Sequence, residues 1–344
     1  MLMVIFGAGA SYDSSSSHRP GPGRPVEEDR PPLASELFEN RPLFTAAMTR
    51  FRDCVPLVPK LRDLEDGVSV EEMLEQLYSD AAEYPARHRQ FSAIRYYLHY
   101  MMWQCQQQWR VRTAGITNHV TLVDTIDRWR AGRYEEVCLV TFNYDTLIEH
   151  ALDYNRVRIE SIGDYVVHPV FKLIKVHGSV NWAREVRTPI RNVRDGNVWP
   201  VIEELIERAD RLDLSENYQV VMEYPIGVLP GARPAIPALA IPLTTKEEFE
   251  CPREHQEVLE RCIPRVSKLL VIGWRGAERH FLRLFGSLRQ ESHVPGLVVA
   301  GSRARAKEVI SHLQPAATQV RWEVFEGGFS EFVTSVAADR FLKS

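Results

Sequence analysis

The sequence predicts an α/β fold: a parallel sheet covered on both faces by helices, with a helical lobe inserted after the first strand. Three observations predict it. The chain opens on an apolar run, residues 2–6, that breaks at once into Gly-Ala-Gly-Ala-Ser. From residue 268, strand-like and helix-like segments alternate to the end, the rhythm of strand–helix–strand units that build parallel sheets. Between the first strand and the next strong strand signal lies a long stretch of helical pattern. Three units are therefore expected: 1–41, with the first strand, its turn and a loop; 42–133, the helical lobe; and 134–344, the rest of the sheet domain.

The elements follow in order. Residues 2–6 read as a short buried strand. SSSSHRPGPGRPVEEDRPP, residues 14–32, is rich in Ser, Pro and Gly, so a mobile loop without packed contacts is expected, able to act as a lid over the first turn. LASELFEN, 33–40, reads as a helix start. Ser69 is a candidate N-cap for VEEMLEQLYSD, with Glu71 and Glu72 in the first turn. Residues 83–110 are amphipathic and free of Gly, and with 118–130 they complete the lobe. Strand signals return at 137–142 (VCLVTF), before helix YDTLIEHAL, and at 171–176 (FKLIKV). Residues 202–210 read as helix, and 218–223 and 238–243 as weaker strands. Then come strand KLLVIG, helix 278–288, strand GLVVAG, helix 303–313, strand VRWEVF and a final helix.

Composition excludes several classes. The 344 residues are 44% hydrophobic and 26% charged, with net charge −4, as in an ordinary globular protein. No Lys/Arg run suits direct nucleic-acid binding. The five cysteines, Cys54, Cys105, Cys138, Cys251 and Cys262, are scattered and odd in number, neither a disulfide framework nor a zinc site. The N-terminus lacks a basic segment before its apolar run, and no apolar stretch is long enough to span a bilayer. A cytoplasmic protein without a metal and without membrane association is expected.

The chemistry-bearing residues cluster at strand ends. Gly7 and Gly9 would let the backbone turn sharply and approach a pyrophosphate, with Ala8, Ala10 and Ser11 offering N–H donors and Asp13 close behind. The bland alternative is a tight strand-to-loop turn. Thr141, Phe142, Asn143, Tyr144 and Asp145 follow the second strong strand, at the edge where open α/β sheets bind ligands. Either polar residue could instead cap the next helix. His177 and Gly178 follow the third strand, and a lone His is often structural. Gly273 with Trp274, and Gly301 with Ser302, end two further strands. Tyr12, Phe142 and Trp274 could shield a site or belong to the core.

Taken in order, GAGAS, TFNYD, KVHGS and IGW resemble the sirtuin-like NAD-binding family, and within it the bacterial branch of NAD-consuming antiviral effectors. The resemblance runs from residue 4 to about 302, and PPL at 31–33 is similar to the defence branch. It implies a Rossmann-like sheet, a phosphate loop at GAGAS, catalytic positions at Asn143 and His177, and a supporting one at Asp145. No zinc ribbon is expected, because the two Cys-x-x-Cys pairs of sirtuin deacylases are missing, which counts against protein deacylation.

The activity this implies is NAD+ glycohydrolysis, giving nicotinamide and ADP-ribose. His177 would be general base and Asn143 would hold water or ribose through its amide. NAD+ is then substrate rather than resident cofactor. Two alternatives stand beside it: a catalytically silent NAD or ADP-ribose sensor that regulates a partner, and a deacylase or ADP-ribosyltransferase. A toxic activity needs restraint, so the resemblance implies a homo-oligomer, a separately encoded partner such as a HerA-type ATPase, or both.

Overall fold

In the computed structural model the described residues are 1–21, 27–65, 68–82, 84–191, 193, 197–243, 249–288 and 293–344. Strand β1 (Leu2–Phe6) runs into a one-turn helix α1 (Ala8–Tyr12) capped by Gly7. Helices α2 (Pro42–Arg50), α3 (Val58–Arg62), α4 (Val70–Ser79), α5 (Ala86–Arg112) and α6 (Asn118–Ala131) follow. Next come β2 (Val137–Thr141), α7 (Leu147–Tyr154), α8 (Asp164–Val167), β3 (Phe171–Lys175), β4 (Gly178–Val186) and α9 (Trp199–Glu207). Strands β5 (Leu214–Val220), β6 (Val228–Leu229) and β7 (Arg233–Leu239) precede α10 (Arg253–Cys262) and β8 (Lys268–Ile272). The chain closes with α11 (Arg279–Leu284), β9 (Val294–Val299), α12 (Arg303–Leu313), β10 (Val320–Phe325), α13 (Gly328–Thr334) and α14 (Ala337–Lys343).

The predicted fold class is correct. A six-stranded parallel sheet has the order β10-β9-β8-β1-β2-β3. Winding outward in both directions from β1, this is the Rossmann-like doubly wound order, with its switch point between β1 and β8. Strands β1, β2 and β8 are buried along their whole length, as continuous apolar runs in a sheet covered on both faces must be.

A second sheet was not expected. It is antiparallel, in the order β5-β4-β7-β6. The segments read as weak strands at 218–223 and 238–243 belong here, shifted to β5 and β7, and not to the parallel sheet. Trp182, Tyr218 and Ala238 of this sheet join the core of the large sheet. Val186 and Ile236 join a second core with α2–α5 and α9. The inserted lobe is thus closed by residues from far along the chain.

Three further expectations need correction. Helix α6, expected in the lobe, instead buries Val120, Leu122, Val123 and Ile126 in the core of the large sheet. Residues 33–40 form a 3₁₀ turn at Ala34–Glu36 rather than a helix. The loop expected at 14–32 without packed contacts is buried at both its ends, 14–15 and 29–32. Ser14 and Ser15 are buried, Trp109 Nε1 donates to Ser14 Oγ at 2.8 Å, and the buried Arg30 guanidinium sits 4.7 Å over the Trp109 ring and 5.2 Å over Tyr12. Arg30 also donates to the carbonyls of Tyr12 and His18 and pairs with Glu27. One planar cation supplies contacts that the composition of the segment does not advertise. Residues 22–26 of this loop lie outside the described residues. By contrast, Ser69 caps α4 as read: its Oγ accepts from Glu72 N at 3.1 Å, while Glu72 accepts from Ser69 N at 2.8 Å.

Candidate functional site

Three of the polar residues expected at the site, Ser11, Asn143 and Asp145, meet at the C-terminal ends of β1 and β2. Thr141 Oγ1 accepts from Asn143 N at 3.0 Å, turning the chain off the end of β2. Asn143 Nδ2 then donates to Gly7 O at 2.9 Å and to Ser11 Oγ at 2.8 Å. Ser11 Oγ donates onward to Asp145 Oδ2 at 2.5 Å, and Asp145 Oδ1 accepts from Leu147 N at 3.1 Å. Ser11 therefore links two residues that are more than 130 positions away in sequence. Both amide hydrogens of Asn143 are thus engaged with the turn after β1. What Asn143 presents is its carbonyl Oδ1, an acceptor. Asp145 also does what the bland reading asked, capping α7 through Leu147 N.

His177 sits in the two-residue turn between β3 and β4, half-buried. Its carbonyl accepts from Ala240 N at 2.9 Å, and the neighbouring Val176 carbonyl accepts from Glu250 N at 3.0 Å, so the turn is held from both sides. The imidazole stands edge-on to Phe142 at 5.1 Å and lies 6.4 Å from Tyr144. Phe142 stacks on Trp274 at 4.7 Å with 12° between the ring planes. These rings join the ends of β2, β3 and β8, and Phe142 and Trp274 belong, with Phe281, to the core of the large sheet, the second of the two places expected for them.

Beside Asp145 lies a buried pair that the sequence reading passed over. Lys175, fully buried at the end of β3, pairs with Glu149 at 2.9 Å and donates to Asp145 O. Its signal was available: a lysine inside the apolar run FKLIKV demands an acidic partner. His119 of α6 is buried between Phe6 and Phe329, with ring centroids 5.4 and 5.1 Å away. Burial lowers its pKa to about 4, so it is neutral near pH 7.

The glycines have causes of their own. A Cβ on Gly7 would lie 2.4 Å from Trp274 Cα, and one on Gly9 would lie 2.9 Å from Gly273 Cα. Gly273, at φ +61°, would place a Cβ 2.3 Å from Ala10 N. Gly9 N donates to Gly273 O at 3.0 Å and Ala10 N to Gly7 O at 2.8 Å, so neither amide is free for a phosphate here. The close approach read as room for a pyrophosphate is made by the backbone after β8. Gly178, at φ +77°, would meet Ala238 O at 1.9 Å, which again accounts for the glycine by strand packing. Gly301 differs: nothing lies within 4 Å of the Cβ it lacks.

The remaining expected residues are placed as follows. Ala8 opens α1 beside Gly7. Asp13 lies on the β9–β10 side, beside Gly328: its carboxylate accepts from Ser330 N at 3.0 Å and from Ser330 Oγ, tying α1 to α13. Burial raises its pKa. Ser302 Oγ accepts from Arg305 N at 3.3 Å as the N-cap of α12. Tyr144 OH donates to Ala240 O at 2.7 Å. Tyr12 lies under Arg30 instead of over the site.

One acidic residue, absent from the sequence expectations, holds the Trp274 indole. Trp274 Nε1 donates to Glu278 Oε2 at 2.6 Å. From the inserted lobe, Glu71 reaches Arg275 at 3.5 Å, bridging α4 to the segment after β8. Burial raises the Glu278 carboxyl to about 6, opposed by the indole donor and reinforced by the charge of Glu71.

No protein-family model matches this sequence, and no curated protein matches it either. Among the described residues, no three His, Cys, Asp or Glu side chains converge as metal ligands, and no helix is long and apolar enough to cross a membrane.

Proposed function

We propose that this chain hydrolyses the nicotinamide–ribose bond of NAD+. The observation that supports the reading is the hydrogen-bonded row Asn143–Ser11–Asp145 at the carboxyl ends of β1 and β2, with His177 on the neighbouring end of β3. Ligands of doubly wound sheets bind outside the carboxyl ends of the strands.

The chemistry is simple in outline. Nicotinamide leaves the cationic pyridinium as a neutral molecule, so its departure needs no acid. The ribose carbon takes up positive charge, and a water completes the substitution. Overall, NAD+ and water give nicotinamide, ADP-ribose and a proton. His177 receives the proton of the attacking water, a task suited to an imidazole near neutral pH. Asn143 Oδ1 accepts a hydrogen bond from that water or from a ribose hydroxyl. Ser11 and Asp145 keep the amide from flipping. The resemblance of GAGAS, TFNYD, KVHGS and IGW to the antiviral branch supports a role in bacterial antiphage defence, with the activity restrained by self-association or by a partner ATPase.

A second reading, a silent dinucleotide sensor, is favoured by one observation. Asn143 and Asp145 are only 7% and 4% exposed, with most of their polar atoms engaged internally. The deciding experiment is nicotinamide release from NAD+ by the purified chain, alone and with candidate partners. Release that disappears in a folded His177→Ala variant supports the enzyme. Tight NAD+ binding with no release under any condition supports the sensor.

A further inference from the structure

The geometry points to the outer edge of β10 as the surface on which two copies of this chain pair, antiparallel and two-fold about Trp322, joining their parallel sheets into one. Such pairing stands apart from the NAD+ reading and does not depend on it.

The two edges of the six-stranded sheet are finished differently. At the β3 edge the outward Phe171 N–H donates to His168 Nδ1 at 3.1 Å, and Leu173, Ile174 and Lys175 are buried. At the β10 edge Arg321 and Glu323 are exposed, and Trp322 and Val324 are half-buried. The direction of the β10 backbone groups follows from its ladder to β9. Val294 N donates to Gln319 O and Ala300 N to Phe325 O, so the odd-numbered residues turn their N–H and C=O groups toward β9. The groups of Trp322 and Val324, and the carbonyl of Val320, therefore point outward. The Val320 N–H is taken by Ala317 O at 3.1 Å. A row of outward donors and acceptors is a template for another strand.

The side chains identify that strand as a second copy. Val320-Arg321-Trp322-Glu323-Val324 has the same outline read in either direction, with opposite charges on the two sides of Trp322. Antiparallel pairing about Trp322 sets Trp322 against its own copy and Val320 against Val324 as hydrogen-bonded pairs, which are the residues whose backbone groups face outward. Arg321 then stands opposite Glu323, twice, in the non-hydrogen-bonded pairs where side chains come closest. Among the described residues, neither Arg321 nor Glu323 has an ion-pair or hydrogen-bond partner in its own chain. The register is also guarded. The smallest shift that keeps even-numbered residues opposite one another centres the two-fold on residue 321 or 323. One sets Arg321 against Arg321 and the other Glu323 against Glu323, both repulsive. Charged edges commonly keep copies apart, but here the signs match in one register only.

Sedimentation velocity of the full chain at low ionic strength tests the pairing. The wild type should dimerise. Arg321→Glu and Glu323→Arg should each raise the dimer dissociation constant roughly tenfold or more, because each sets two like-charge pairs across the two-fold. Both positions are exposed, so the urea midpoints should not move. Mixing is the decisive measurement. The first variant carries two acids on its edge and the second two bases, so an equimolar mixture should regain wild-type association. A chain with both substitutions should regain it too. A wild type that is monomeric at every concentration, association unchanged in both single variants, or a mixture no tighter than its components overturns the pairing. Each of these outcomes leaves the NAD+ reading untouched.

Discussion

The two strand ends beside β1 are built in opposite ways. On the β8 side, backbone meets backbone: Gly7, Gly9 and Gly273 have no side chains because the segment after β8 lies against the turn after β1. On the β2 side, side chains meet: Asn143, Ser11 and Asp145 form one hydrogen-bonded row. The difference teaches that glycine and polar residues at strand ends, which look alike as sequence signals of a ligand site, answer different physical demands. The β8 side is packing. The β2 and β3 ends hold the polar and titratable side chains, Asn143, Asp145 and His177.

That contrast can be tested, beginning where the effect is greatest. If the β3 end is chemical, His177→Ala should lower nicotinamide release by about a thousandfold, within the range for loss of a general base, with the urea midpoint unchanged. A large loss of stability instead would move His177 to the packing side of the comparison.

On the β8 side the outcome should be reversed. Gly273→Ala forces a Cβ against Ala10 N at a positive φ, so chemical denaturation should show a loss of roughly 3 kcal/mol or more. Wild-type stability in that variant would mean that the two segments are free to separate and that the crevice at the switch point is open to ligands.

Ser11→Ala sharpens the comparison on the β2 side, because it leaves one amide hydrogen of Asn143 without its partner. Turnover should fall roughly ten- to a hundredfold with a smaller change in KM, since the free amide now samples the flipped orientation. A change confined to KM would make the row a binding feature alone.

The smallest effect is expected at Gly301→Ala, where the new methyl meets nothing within 4 Å. Stability should stay within about 0.5 kcal/mol of wild type. Weaker dinucleotide binding in this variant, with stability intact, would identify Gly301 as the one strand-end glycine kept for ligand approach.

Much of this architecture was legible in the residues. Continuous apolar runs such as LMVIF and KLLVI announce strands buried on both faces, and the reading of α12 and β10 agrees with the structure to the residue. The β4 strand was missed, since its start was read as the tail of a site motif and the pattern behind it is mixed. The packing at 14–15 and 29–32 was missed because one arginine, Arg30, organises it through contacts with Trp109, about 80 residues away in the chain.

The sequence by itself determined the periodicities, the caps and the placing of polar residues at strand ends, because each depends on neighbours within a turn or a strand. It thereby determined the α/β class and the neighbourhood of Asn143 and His177. The tertiary structure alone decided which face each group shows. Gly7 is bound by Trp274, Gly178 by Ala238 and Asn143 by Ser11, and every one of these partners is distant in sequence. Whether a glycine serves a ligand or a neighbouring strand, and which atom of an amide faces outward, depends on contacts made after the chain has closed on itself, and local pattern carries no record of them.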